Sequence, residues 1–329
     1  MSQQRRAGRL VQGLVMGGIL VVASTVSSRE TLAEDSQAAP VAVDKSPGVL
    51  VRAGKRELLE YRYEKVPFKP YVKRLCSPSG AQVLLDAPSD HLHHHGLMFA
   101  IAAGGVDFWS ETPACGKQVN RSIEVVQPDA KAQSATAGFA EQLDWLAPGG
   151  KVVLQERRTV RAGLAADANA TLVTWRTRLS CPAGTDSVKL HGDHYFGLGL
   201  RFVRSMDKAG TFRTPKGAPE KIGTRVRGTE YNTPADWCAY AAKADGKLVT
   251  VAMFGRPEIK PFPVTWFTMT DGFAYLSATL NLWKKPFAIA ADKPLELCYG
   301  VAVWDGRPDD EAIEKLFKQW LGWTAEGAQ

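Results

Sequence analysis

The stretch "TLVTWRTRLSC" (171–181) places Val173, Trp175, Leu179 and Cys181 on one side of an extended chain, and Arg176 and Arg178 on the other. A period of two is the signature of a half-buried β-strand. Two further stretches repeat it. In "FAYLSATLNLW" (273–283) the even positions carry Ala274, Leu276, Ala278, Leu280 and Leu282. In "LELCYGVAV" (295–303) the odd positions carry Leu295, Leu297, Tyr299, Val301 and Val303. Comparable patterns predict strands at 49–53, 71–76, 81–85, 97–102, 122–127, 137–145, 151–160, 187–190, 197–203 and 247–254. Turn-forming clusters such as "APGGK", "KADGK" and "MTDG" punctuate them. One stretch has the helical period instead. "PDDEAIEKLFKQWLG" (308–322) spaces Ile313, Leu316, Phe317, Trp320 and Leu321 along one face, opens on Pro308 and three acids, and meets Gly322. The expected fold is therefore all-β: an antiparallel β-sandwich or supersandwich, with a C-terminal α-helix at about 308–321.

The N-terminus speaks to compartment. Arg5, Arg6 and Arg9 precede "LVQGLVMGGILVVA", a charged region followed by an apolar run shorter than the ~20 residues that span a bilayer. Residues 1–33 read as a signal peptide and 34–48 as a polar linker, leaving 49–329 as a single sandwich domain with its helix. A periplasmic or secreted protein is expected, with no transmembrane segment in the mature chain. Removing the three leading arginines lowers the formal charge from +7 to +4, and the remaining Lys and Arg form no dense block. Nucleic acid is accordingly not an expected partner. The five cysteines, Cys76, Cys115, Cys181, Cys238 and Cys298, are widely spaced and form no CxxC, so a zinc ribbon is not expected and their pairing is left open.

The histidines are the chemical signal. All six lie in "DHLHHHG" (90–96) and "LHGDHYFG" (190–197). If the first stretch is extended, His91, His93 and His95 share a face and His94 points away. Neutral imidazoles donate and accept hydrogen bonds to hydroxyl groups, and they exchange protons near neutrality. His91, His93, His94, His191 and His194, with Asp90 as a partner, are the candidate catalytic residues. Around them lie candidate substrate-binding side chains. Trp109 and Tyr195 offer ring faces to a sugar, Asp107 and Glu230 offer carboxylates, and Arg201 offers a clamp for an oxygen pair. No cofactor is predicted. A divalent metal is the alternative, on His91, His93 and His194. There is no P-loop, GxGxxG or GxSxG.

The motif "DHLHHHGLMFAIAAGGVDFW" (90–109) resembles the DHPHHRG…GVDFW signature of the PmoA-like family of exported bacterial proteins, a domain of unknown function. Asp90, His91, His93, His94, Gly96, Asp107, Phe108 and Trp109 match it; Leu92 stands where that family usually has Pro, and His95 where it usually has Arg. "HGDHYFGLGLRF" (191–202) is similar to a second segment, with Arg201 at its arginine, and the resemblance spans roughly 50–322. The strand pattern is also similar to the galactose-mutarotase supersandwich. That similarity implies a pocket in which histidines, an arginine and carboxylates act on sugars. The expected function is binding or modification of a carbohydrate in a His-rich pocket, by epimerase, lyase or hydrolase chemistry. A metal-dependent enzyme and a non-catalytic carbohydrate-binding protein are the alternatives.

Overall fold

In a computed structural model, which describes residues 41–45, 48–128, 136–258 and 263–326, the period-two stretches are paired antiparallel strands. Strand Ala170–Ser180 pairs along its length with Val152–Ala165 on one side and Leu295–Asp305 on the other. Val173, Trp175 and Leu179 are buried, and Arg178 is exposed, as the alternation requires. Alternation fades in the first half of this strand, where Leu172 is buried too. A helix covers that part of the outer face.

This strand belongs to a sheet of eight, in the order Thr211–Arg213, Trp237–Ala244, Lys247–Gly255, Leu295–Asp305, Ala170–Ser180, Val152–Ala165, Thr136–Leu146 and Lys117–Val126. A sheet of ten faces it. Its order is Val41–Lys45, Val49–Ala53, Arg56–Arg62, Tyr71–Leu75, Leu97–Ala100, Gly197–Arg201, Tyr275–Thr279, Thr265–Met269, Glu230–Pro234 and Thr224–Arg227. Phe99 meets Trp145 at 6.0 Å and Tyr61 meets Trp175 at 6.5 Å, so these rings mark the core between the sheets. A small sheet of Phe287–Ala290, Ser187–His191, Ala102–Ala103 and Val106–Asp107 lies apart from both ladders.

The helix Asp310–Glu326 docks on the outer face of the eight-stranded sheet. Ile313, Leu316, Phe317 and Trp320 are buried, Phe317 lies 5.7 Å from Phe254, and Trp320 Nε1 donates to Thr174 Oγ1 at 3.0 Å. The Asp309 carboxylate accepts from the Ala312 amide at 2.8 Å and caps the first turn. The helix runs past Gly322, beyond the expected end at about 321. Thr324 holds the extra turn: its hydroxyl donates to Trp320 O at 2.8 Å and accepts from Arg256 at 2.7 Å.

Two other expectations change, and one open question is answered. The stretch read as a linker contains strand Val41–Lys45, which pairs in register with Val49–Ala53. Its "VAVDK" alternation is a strand pattern that the surrounding Pro and polar residues obscure. Residues 81–85 make only isolated bridges, Cys76 to Gln82 and Leu84 to Phe202. Their amides instead alternate between two neighbours, Val83 to Leu75 O and Leu85 to Arg201 O. All five cysteines are free, and four are buried as small apolar side chains. No helix among the described residues is long and apolar enough to cross a membrane.

Candidate functional site

The segment carrying the first histidines is not extended. The His91 amide bonds to Pro88 O at 2.9 Å and the His94 amide to His91 O at 3.0 Å, giving two successive turns. Turns bring i and i+3 together. His91 therefore stacks on His94, with centroids 4.7 Å apart, while His93 meets both edge-on. His95 leaves on the other side. The expected sharing of one face by His91, His93 and His95 is thus replaced by His91, His93 and His94. Gly96 closes the loop at φ +42°, where a Cβ would overlap the Val72 carbonyl.

These three histidines form one wall of a cavity of about 310 Å³ on the outer face of the ten-stranded sheet. Its floor comes from sheet residues that point away from the core: Phe267, Met269 and Tyr275. Glu230 and Tyr195 stand at another side, and Arg227, Asp271 and Phe273 complete the lining. Two glycines make room beneath it. At Gly199 a Cβ would overlap the Tyr275 hydroxyl, so glycine there lets the tyrosine lie against the sheet. At Gly197 a Cβ would overlap the Ala278 carbonyl of the paired strand.

Burial sets the electrostatics. It pushes His93 down to about 4, helped by the nearby Lys69, and His94 down to about 2, helped by Arg201 and the neighbouring histidines. Both rings are neutral at pH 7. His94 Nδ1 is buried without a protein partner among the described residues, as is the Tyr275 hydroxyl. Burial also raises Tyr275 well above the ordinary tyrosine value and Tyr195 to about 12, so both remain phenols.

The second histidine stretch reaches the cavity at one remove. His194 holds Asp193 Oδ1 at 2.5 Å through Nδ1 and Glu230 Oε2 at 3.1 Å through Nε2. Glu230 Oε1 also accepts from Arg227 Nη2 at 2.7 Å and Nε at 3.0 Å. An Asp193–His194–Glu230–Arg227 chain therefore ends in a carboxylate that lines the cavity, although His194 itself does not. The two histidine clusters share the site through Tyr275, 5.0 Å from His94, and Phe267, 5.4 Å from His194.

Several expected site residues sit elsewhere. His191 ends a strand of the small sheet, with its Nε2 buried. Asp107 accepts from the Trp109 and Ser110 amides, at 2.7 and 3.2 Å, and so caps a turn. Trp109 is core, stacked on Phe196 at 4.9 Å. Arg201 lies behind the lining, its guanidinium 3.7 Å over the Phe273 ring. Asp90 joins His91 to Arg201 and Arg204, each at 3.2 Å, and braces the histidine loop from the rim. Composition does not distinguish these surroundings, because a turn cap, a core ring and a lining ring share one residue type.

Arg227, Phe267, Met269, Asp271, Phe273 and Tyr275 were not anticipated. Phe273 and Tyr275 were in view as the odd positions of 273–283, opposite the apolar even positions. That polar side is the one the cavity uses.

A second histidine is held like His194. His95 Nδ1 lies 2.7 Å from Asp86, and its Nε2 3.1 Å from Glu111. Glu111 accepts from the buried Lys69 at 2.6 Å. Burial alone would depress His95, but its bonds to Asp86 and Glu111 outweigh burial and raise it. When protonated, His95 can donate to Asp86 from one nitrogen and to Glu111 from the other.

The alternative metal set is not assembled, since both nitrogens of His194 are engaged by carboxylates. Among the described residues no three His, Cys, Asp or Glu side chains converge to hold a metal ion.

Fold and cavity together define a two-sheet antiparallel β-sandwich with a histidine- and aromatic-lined pocket on the outer face of one sheet. The chain belongs to the Family of unknown function (DUF6807), whose model matches residues 48–318. That span nearly coincides with the 50–322 over which the sequence resembles the PmoA-like signature, but the family matched does not carry that name. No curated protein matches. Among solved structures the chain is similar to the GH36 alpha-galactosidase AgaB from Geobacillus stearothermophilus, at 12% identity and TM-score 0.49, covering 80% of this chain and 41% of that one. It is also similar to AgaA from the same organism, at 11% and 0.47, covering 78% and 40%. A third is the alpha-galactosidase from Lactobacillus brevis, at 6% and 0.43, covering 81% and 39%. The chain thus spans about two fifths of the length of these enzymes.

Proposed function

We propose that the cavity binds a carbohydrate, or a closely similar polyhydroxylated molecule, and handles a proton on it. The observation that carries this reading is the pairing of two unlike walls over an aromatic floor. Neutral imidazoles stand on one side, and the Glu230 carboxylate, anchored by His194 and Arg227, stands on another. Neutral imidazoles suit hydroxyl groups, which both donate and accept. Aromatic faces such as Phe267 and Phe273 suit the apolar faces of sugar rings. Glu230 and His93 are the two groups we assign to proton transfer, with Asp193 and His194 positioning Glu230. The reaction class is epimerisation, elimination or hydrolysis. The protein acts outside the cytoplasm in this reading, on the strength of residues 1–33, which lie outside the described residues.

Isothermal titration against a panel of neutral mono- and oligosaccharides tests binding. E230Q and H93N are expected to weaken it at least 10-fold while the melting temperature stays near that of the parent. No binding by any neutral saccharide would sink the reading. Product analysis by NMR then separates the two forms of the proposal: binding without turnover leaves a recognition protein and removes the proton-transfer roles. Fusion of residues 1–40 to a reporter active only after export checks the compartment.

A further inference from the structure

The far side of the sandwich carries a second cavity, also about 310 Å³, on the outer face of the eight-stranded sheet beside the C-terminal helix. Its charges are badly balanced. Arg157 stands directly across the strand pair from Arg178, and Arg176 follows on the same face, opposite Thr159. Arg256 enters from the end of a neighbouring strand. Two carboxylates answer these four guanidinium groups. Glu296 pairs with Arg178, and Glu258 grips Arg256 at 2.7 and 2.9 Å. Among the described residues Arg176 bonds only the Thr324 carbonyl, at 2.5 Å. Arg157 has Arg178 on one side and Gln142 on the other, with no carboxylate partner among the described residues.

Like charges placed directly opposite on adjacent strands destabilise a sheet. Both side chains are exposed, so solvent screens the pair in part, but the positive charge is still concentrated at one wall of the cavity. We propose that this cavity is a binding site for a small oxyanion, such as phosphate, sulfate or a di- or tricarboxylate, held between Arg157, Arg176 and Arg178. Guanidinium groups present paired N–H donors that match two oxygens of such an anion. Thr159 adds a hydroxyl at the same wall. Cys298, also in the lining, is held as a neutral thiol because burial pushes it up to about 11, so it adds no opposing charge. The proposal is independent of the histidine pocket, which opens on the other sheet.

Thermal melts of the full chain at fixed ionic strength, with phosphate, sulfate or citrate replacing chloride, test it. The parent should show a saturable rise in melting temperature with at least one anion. Arg157→Gln, an exposed substitution, should weaken that anion's apparent affinity at least 10-fold. Without anion it should melt above the parent, because it removes the repulsion from Arg178. R178Q gives the same test from the other member of the pair. Comparing the three anions tells phosphoryl or sulfuryl recognition from carboxylate recognition. No saturable response in the parent, or an undiminished response in both variants, overturns the proposal.

Discussion

Two buried arginines divide the molecule by what surrounds them. Arg158, in the core between the sheets, spends every donor. Nε and Nη2 bond Glu156 at 2.9 and 2.8 Å, Nη2 also bonds Gln118 at 2.9 Å, and Nη1 bonds Tyr61 at 2.9 Å and Pro70 O at 3.3 Å. The partners are satisfied in turn. Glu156 also accepts from Trp145 and Thr177, each at 2.9 Å, and Glu141 accepts from Tyr61 and from Asn120. Arg201, under the histidine pocket, is as deeply buried but poorly partnered. It has Asp90 at 3.2 Å, Asp207 at 3.7 Å and the Phe273 face, while Nε and Nη1 have no protein partner among the described residues. A closed network fixes a structure. Polar groups left unpaired cost stability where they are. Five of the twelve such atoms among the described residues lie under and around the cavity: His94 Nδ1, Tyr275 OH, Asn232 Oδ1 and the two Arg201 nitrogens; others, such as Thr171 Oγ1 and Tyr299 OH, lie in the eight-stranded sheet. Strain of this kind is tolerated where the site itself is under selection for something other than stability.

The largest test of this contrast is Arg158→Met. It leaves Glu156 buried without its cation, and breaking a buried pair on one side costs about 3–5 kcal/mol. Urea denaturation should show that loss. A change below about 1 kcal/mol would mean that the core network is not what separates the two regions. Arg201→Met should cost less, about 1–2 kcal/mol, because it removes a cation–π contact and a long ion pair rather than a closed network. Its second effect should be local. With Asp90 released, the 88–96 turns should exchange amide hydrogens faster, and an R158M protein should not show that change selectively.

Gly199→Ala falls between these in kind. The added methyl enters the space of the Tyr275 hydroxyl, and overpacking of this sort costs about 1–3 kcal/mol. If Tyr275 shapes the pocket floor as argued, G199A should weaken ligand binding as well as stability. A stability loss with unchanged binding would remove Tyr275 from the site.

How far the sequence reached follows the same division. Strand Ala170–Ser180 was legible because one face is core and the other carries Arg176 and Arg178. The strand at 275–279 was legible only by half. Its whole length is buried, but Tyr275 and Ser277 face the pocket side and not the core. Period-two reading finds the apolar side of a strand and is silent about what the polar side meets. The sequence offers Glu230 only as a carboxylate. That it bonds to His194, 36 residues away in sequence, depends on strand pairing that no local spacing encodes. The two turns at 88–94 are a local matter: Pro88, Ser89 and Asp90 announce the first, but the second runs through "HLHH", which carries no turn former, and an extended reading of the histidines therefore groups His95 with His91 and His93.

A last test is the pH dependence, whose sign separates the two regions. His93 and His94 have folded values of about 4 and 2, below the ordinary value near 6.5. Between pH 6.5 and 4 the unfolded chain therefore binds protons that the folded chain refuses, and stability falls as the solution is acidified. Glu141, in the core network, goes the other way. Burial raises it to about 7, so from pH 7 down to the ordinary value near 4.5 the folded chain takes up a proton more readily than the unfolded one. Its contribution is full below that lower value and is lost as pH rises through 7. His95, raised by Asp86 and Glu111, acts in the same sense as Glu141. Denaturation curves measured from pH 7 to 4 should consequently flatten in an H93N/H94N double variant and steepen in E141Q. Parallel slopes for parent, double variant and E141Q would mean that neither the pocket histidines nor the core carboxylate titrates apart from its unfolded value. In that case the distinction between an open and a closed buried region would have to rest on the mutational free energies alone.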